Sequence, residues 1–383
     1  MKLELPNKEG ALSEYRMVGK PLADQEMPKN PARVIFAAAH VVADPFAKSN
    51  PHGAPAIHWE DTLRFRHYLA DLGLGIAEAM DTAQRGMGLD WNNALELITQ
   101  TRKELPEARV ANGVGTDHLD LTTVTSVDHV IKGYMQQLEA VQKIDARVIL
   151  MASRALAKVA QTPKDYFDVY KSILSNCDYP VILHWLGDMF DPQLFGYWSA
   201  TNFEDSLEVV LEIIEENKRK IDGIKISLLD KDKEIKMRRR LPKGTKMYTG
   251  DDFNYPELIE GDELGFSHAL LGVFDPLAGL VPKAIHKLGE GDLKTYRSIL
   301  NPTVPLARQI FRPPTQFYKT GVVFLSWLNG FQDHFIMING AQSSRTFQDF
   351  VDIFKLADYA GILRDPEHAK IKMKHLLNVY GLT

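Results

Sequence analysis

Gly223-Ile224-Lys225-Ile226-Ser227 sets a lysine in the middle of a short β-branched run. Isoleucine on either side favours extended backbone, because two heavy atoms on Cβ suit a pleated, packed surface. A run apolar on both faces belongs inside a parallel sheet, where an unpaired charge is costly. Lysine is seldom fully buried without a partner or a task. The stretch therefore predicts a buried strand and makes Lys225 the first candidate for chemistry.

The same kind of run recurs on both sides of it. Apolar segments at 33–39, 76–80, 109–114, 147–151 and 180–183 precede 223–227, and 246–249 and 264–273 follow. Between them, residues 91–103, 127–141, 163–174 and 204–217 read as amphipathic helices. Another helix opens near Trp59, with Phe65, Leu69 and Leu72 on one face and Gly73 as its stop. Eight strand–helix units, with no dinucleotide glycine fingerprint after the first strand, predict an α/β fold, a (β/α)8 TIM barrel over residues 33–290. Residues 1–32 read as a polar N-terminal leader. Residues 291–383 read as a C-terminal helical extension packed on the barrel, with helices at 293–300, 319–328, 346–357 and 368–380 and breaks at Pro302, Pro305, Pro313 and Pro314.

Composition narrows the partners. With 383 residues, 45% apolar and 25% charged, and a formal net charge of -5, the chain is an ordinary globular protein with no field to gather nucleic acid or anionic lipid. The basic run at 231–240 holds Arg238, Arg239 and Arg240 but is interrupted by Asp232 and Glu234, so it reads as a solvated helix face. The single cysteine, Cys177, rules out an internal disulfide framework and a cysteine-based zinc site, and fits a reducing compartment. No secretory leader is read at the N-terminus, and the most apolar stretch, 321–328, is too short to span a bilayer. The expected location is cytoplasmic. The expected partner is a small-molecule carbonyl substrate, with no nucleic acid, membrane, cofactor or metal. Phe324, Trp327, Phe331 and Phe335 read as core or, alternatively, as the contact of a homo-oligomer.

In a barrel of this kind the chemistry sits at the C-terminal ends of the strands. The polar residues there are His40, Asp81, Asp117, His118, Ser153, Arg154, His184, Lys225, Asp251 and His268. Asp81, Asp117 and Asp251 each precede a helix and also suit plain N-caps. Lys225 alone lies within a strand. Burial would lower its pKa and free the amine as a nucleophile. The competing reading pairs it with a barrel carboxylate such as Asp81 or Asp251.

Gly223-Ile224-Lys225, with Asp230 five residues later, resembles the sixth-strand motif of the dihydrodipicolinate synthase and N-acetylneuraminate lyase family. Ala111-Asn112-Gly113-Val114-Gly115, Tyr179-Pro180-Val181-Ile182-Leu183-His184 and Tyr248-Thr249-Gly250-Asp251-Asp252 are similar to its third, fifth and seventh strands, in the right order. The resemblance covers residues 33 to 330 and implies a barrel whose Lys225 forms an imine with a keto acid. It also locates departures. His184 stands where the family's proton-relaying tyrosine ends the fifth strand, and the family's fourth-strand tyrosine is replaced by Ser153 and Arg154. Met80-Asp81-Thr82-Ala83-Gln84-Arg85-Gly86 replaces the hydroxyl-rich segment that grips a keto-acid carboxylate.

The reading is then a Schiff-base lyase or aldolase acting on a keto acid or keto-sugar. Lys225 and His184 are its catalytic residues; Asp81, Thr82, Ser153, Arg154, His40 and Asp251 hold the substrate. A metal-dependent isomerase or hydrolase using His40, Asp81, His118 and His184 is the first alternative. A non-catalytic metabolite-binding barrel is the second.

Overall fold

The computed structural model describes residues 1–48, 53–145 and 147–382, and sets the lysine-bearing run in a strand of a closed eight-stranded parallel barrel. With strands numbered along the chain, β1 (Lys2–Pro6) and β2 (Leu12–Arg16) form an antiparallel hairpin. The barrel comprises β3 (Ile35–Ala38), β4 (Gly75–Glu78), β5 (Val110–Val114), β6 (Val148–Leu150), β7 (Val181–Leu186), β8 (Ile221–Ser227), β9 (Lys246–Thr249) and β10 (His268–Leu271). They pair in chain order, and β10 closes on β3.

The register determines what faces the barrel axis. Side chains alternate along a strand, and Phe36, Ile149, Ile182, Tyr248 and Leu270 meet in the interior cluster. His184 shares the face of Ile182, two residues on. It pairs across to Lys225, which pairs in turn with Tyr248. Lys225 therefore points inward, above a floor of apolar side chains. Gly223 makes this floor possible: a Cβ there would stand 2.8 Å from the Tyr248 ring and 2.5 Å from the Lys246 carbonyl oxygen.

The chain forms two compact units. One holds the whole barrel sheet, in Arg33–Ala39 and Gly75–Gly272. Its helices follow the expected spans: Trp91–Glu104 is capped by Asp90, Val127–Gln142 by Ser126, and Pro163–Ser175 by a Thr162/Asp165 capping box with proline in the first turn. The basic run is a short helix, Lys231–Arg238, whose charges are spent on Glu257, Asp262 and Glu204. It is a paired, solvated face, as the interleaved acids implied.

The other unit comprises Met1–Ala32, His40–Leu74 and Val273–Thr383. It contains helices Trp59–Asp71, Leu293–Leu300, Tyr318–Leu328, Phe347–Ala360 and Pro366–Val379, close to the expected spans, and Val281–Gly289 and Val304–Ile310, which were not expected, although Val281, Ala284, Ile285 and Leu288 of the first fall at i, i+3, i+4 and i+7. The leader is more than a polar segment. Its hairpin buries Leu3 and Leu5, and buried Asp358 accepts from the Tyr15 hydroxyl (2.9 Å) and the Val18 and Gly19 amides (2.8 and 2.9 Å). No helix among the described residues is long and apolar enough to cross a membrane.

Candidate active site

Ile221, Ile224 and Ile226 hold β8 extended, and Lys225 emerges from it 7% exposed. Burial lowers its pKa, and the nearby negative charges of Asp81 and Asp252 partly oppose that shift. His184, 1% exposed on the neighbouring strand, is pushed well below the usual imidazole range by burial and then by the Lys225 charge. Its Nε2 lies 3.3 Å from the Ser227 hydroxyl, and its Nδ1 is buried without a hydrogen-bond partner. The result is a weakened amine and a neutral imidazole side by side in one sheet.

Gly250, just beyond β9, is what admits the lysine. A Cβ there would lie 2.2 Å from Ser227 Oγ, 2.7 Å from the Ile226 carbonyl oxygen and 2.8 Å from Lys225 Cε. Lysine, serine and glycine thus share one crowded point, which no larger residue could occupy.

Beside this group is a cavity of about 210 Å3. His184 and Asp81 line it, with Thr116, Arg85, Asp117, Arg154 and Asp191 around an apolar wall of Leu119, Leu121, Leu186 and Leu194. Lys225 is not part of the wall; two residues next to it are, His184 by strand pairing and Asp81, whose charge acts on the amine. Both arginines are already engaged. Arg85 forks onto Asp117, with Nε to Oδ2 at 2.8 Å, and also reaches the carbonyls of Ala79 and Gly113 and the Gln137 side chain. Although burial pushes the Asp117 carboxyl up, Arg85 and Gln137 hold it down at about 2. Arg154 pairs with Asp191 at 2.5 Å.

The other residues read from the sequence fall in different places. Thr82 is buried behind Asp81 in the short turn Asp81–Ala83. Ser153 caps the helix Arg154–Val159 and bonds Thr116 Oγ1 at 2.6 Å, so the threonine, not the serine, faces the cavity. Asp251 folds back on the Phe253 and Asn254 amides, with burial raising its pKa; its neighbour Asp252 is the carboxylate that acts on Lys225. His268 opens β10 rather than ending it, and its Nδ1 accepts from the Val34 amide at 3.0 Å. Only His268–Leu271 of the apolar run 264–273 is strand, so this histidine stands at the opposite end of the barrel from the one its place after an apolar run predicts. His118 is held by Gln136 and Gln137.

His40 lies in the other unit, fully buried between Asp275 (Nδ1 to Oδ2, 2.7 Å) and Ser326 (Nε2 to Oγ, 2.9 Å). The connectivity is that of a serine triad, but Ser326 and Asp275 are 2% and 1% exposed. A carbonyl substrate has no route to the hydroxyl, so the trio is a structural tie. Among the described residues, no three His, Cys, Asp or Glu side chains gather as metal ligands would.

The sequence reading missed Asp252, Ser227, Arg85 and Gly250. Period two would have found three of them: Lys225 and Ser227 share one face of β8, and Tyr248, Gly250 and Asp252 continue one face of β9.

The family model described as "Protein of unknown function (DUF993)" matches residues 3–382. No curated protein matches the chain. Among solved structures it is similar to dihydrodipicolinate synthase from Thermotoga maritima, at 14% identity over 86% of this chain and 99% of that one, with a TM-score of 0.64. The enzyme from Aquifex aeolicus gives 14% identity, 91% and 98% coverage and a TM-score of 0.61. The chloride-inhibited synthase from Acinetobacter baumannii, solved in complex with pyruvate, gives 15%, 86%, 99% and 0.60. The shared feature at this identity is the fold: the closed barrel with flanking and C-terminal helices.

Proposed function

We propose that this chain, which belongs to the DUF993 family of proteins of unknown function, is a Schiff-base-forming lyase or aldolase that works on a small carbonyl compound through Lys225. The observation that carries the reading is an inward lysine, buried and beside a cavity, whose amine is weakened by burial while two carboxylates stand ready for the cation it would become. The fold shared with dihydrodipicolinate synthases supports it.

The Lys225 nitrogen lone pair adds to the carbonyl carbon, forming the C–N bond while the oxygen takes the π electrons and then the proton that the nitrogen gives up. The carbinolamine takes up one more proton and loses water, leaving a C=N iminium ion. Asp81 and Asp252 stabilise that charge. For cleavage, neutral His184 takes the proton from the hydroxyl on the far carbon of the breaking bond. That oxygen's electrons become a new carbonyl, and the C–C pair flows to the iminium nitrogen as an enamine. Condensation is the reverse. Burial keeps the His184 imidazole neutral, so one of its two ring nitrogens carries a lone pair for this proton.

The test is reductive trapping. The native protein and Lys225→Ala are incubated with hydroxyacetone, dihydroxyacetone, glycolaldehyde and pyruvate, reduced with borohydride and weighed intact. One covalent adduct on the native chain, absent from the variant, is expected. A native chain that forms no Lys225-dependent adduct with any of the four overturns the proposal.

A further inference from the structure

We infer that the compound taken by Lys225 is an uncharged hydroxycarbonyl, ketose- or aldose-like, and that the site turns keto acids away; this rests on the imine reading above. The charge of the cavity is the first ground. Its lining has three carboxylates, Asp81, Asp117 and Asp191, against two guanidiniums, Arg85 and Arg154. Arg85 has given its donors to Asp117, Gln137 and two carbonyls, and Arg154 faces Asp191. Arg85 has no donor left for a substrate carboxylate, and Arg154 has its charge offset by Asp191 although its Nη2 makes no hydrogen bond among the described residues. Asp252 adds a further negative charge beside the lysine. A keto-acid anion would thus enter a site of its own sign, and would then compete with Asp81 and Asp252 for the iminium.

The second ground is the hydrogen-bonding character of the groups left over. Asp81 accepts only, and His184 Nδ1 is buried and unpartnered. Thr116 also lines the cavity, with its hydroxyl bonded to Ser153 Oγ at 2.6 Å. A substrate hydroxyl can donate to Asp81 and can serve His184 Nδ1 as donor or acceptor, whichever the ring tautomer requires, whereas a carboxylate cannot donate to Asp81 at all.

Size is the third ground. An apolar void of about 150 Å3 holds benzene, so this cavity, about 210 Å3, suits roughly six to ten heavy atoms, a carbonyl compound of about three to five hydroxylated carbons. The wall of Leu119, Leu121, Leu186 and Leu194 shields the far end from water without adding charge.

Hydroxyacetone and pyruvate form a matched pair for the test, because they share a methyl ketone and differ in a hydroxymethyl against a carboxylate. Their trapping rates on the native protein, at equal concentration and normalised to those on a free lysine amine, should favour hydroxyacetone by tenfold or more. Excess pyruvate should not slow hydroxyacetone trapping. Asp81→Asn should narrow the ratio at least threefold by letting pyruvate in. Pyruvate trapping at Lys225 as fast as hydroxyacetone overturns this inference and leaves the imine reading intact. A native protein with no Lys225 adduct from either probe overturns both. If Asp81→Asn does not fold, the native rates and the competition decide alone.

Discussion

Gly250→Ala is the perturbation that most directly probes how the lysine is housed. The added methyl would sit 2.2 Å from Ser227 Oγ, 2.7 Å from the Ile226 carbonyl oxygen and 2.8 Å from Lys225 Cε. The carbonyl cannot retreat, because it accepts the Gly250 amide at 2.9 Å within the barrel ladder. The serine and lysine must move instead, or β9 must shift. Overpacking of this kind costs about 1–3 kcal/mol. Restoring an ordinary carbon–carbon contact displaces Cε by roughly 0.7 Å or more, enough to cost about 10- to 100-fold in a reaction that depends on placement. Urea unfolding followed by fluorescence measures the first effect, and the borohydride adduct rate measures the second. Gly115→Ala is the control: it also lines the cavity, but its Cβ would meet nothing nearer than 3.6 Å, so stability should change by less than about 1 kcal/mol. If Gly250→Ala is as stable as the native protein and traps substrate as fast, the lysine does not lie against this glycine and the account of the site fails.

Two further expectations concern protons. Burial raises Glu234, held by Ser267 Oγ (2.6 Å) and Thr249 Oγ1 (2.9 Å), from 4.5 to about 8. The folded chain keeps a proton there that the unfolded chain releases, so this contribution is complete below pH 4.5 and is lost as pH rises toward 8, on the order of 5 kcal/mol in all. Glu234→Gln should flatten the fall in unfolding free energy between pH 5 and 9, and an unchanged slope would refute the assignment. His184 should stay neutral well below its ordinary pKa of 6.5, showing 15N resonances of a single tautomer fixed through Ser227. Ser227→Ala should set the two tautomers exchanging, while native resonances that titrate near 6.5 would refute the burial argument.

Much of the barrel was legible because its signals are local and repeated. The β-branched runs and the 3.6-residue periodicity of segments such as 127–141 depend on neighbours in sequence, and those helices and strands appear where expected. The misreadings were of another kind. The alternation in Lys2-Leu3-Glu4-Leu5 is too short to announce a hairpin, and its anchor, Asp358, lies more than three hundred residues away. Asp251 and Asp252 are adjacent and chemically identical; only the face each takes after β9 separates a turn cap from a charge beside Lys225. Arg85 looked like part of a divergent loop, and its partners Asp117 and Gln137 come from elsewhere in the chain. Pairings between distant residues leave no periodic trace.

Two buried polar groups in this chain show why geometry alone does not make a site. Ser326, His40 and Asp275 have the distances of a nucleophile, its base and the base's orienting acid, yet every hydrogen bond that matters points inward and the trio is closed to solvent. There both ring nitrogens of His40 are bonded, although Asp275 Oδ1 is left without a partner, and the buried polar groups stabilise and specify the packing. Lys225 and His184 are equally buried, but their bonding is incomplete: the imidazole keeps an unpartnered Nδ1, and the amine is opposed by carboxylates across space. Leaving polar groups unsatisfied costs stability, and a fold tolerates that cost where a ligand completes the set. The cavity that His184 and Asp81 line is where such a ligand would sit. The contrast between the two imidazoles, one bonded at both nitrogens and the other open at one beside a cavity, singles out the lysine over the triad more than the family likeness does.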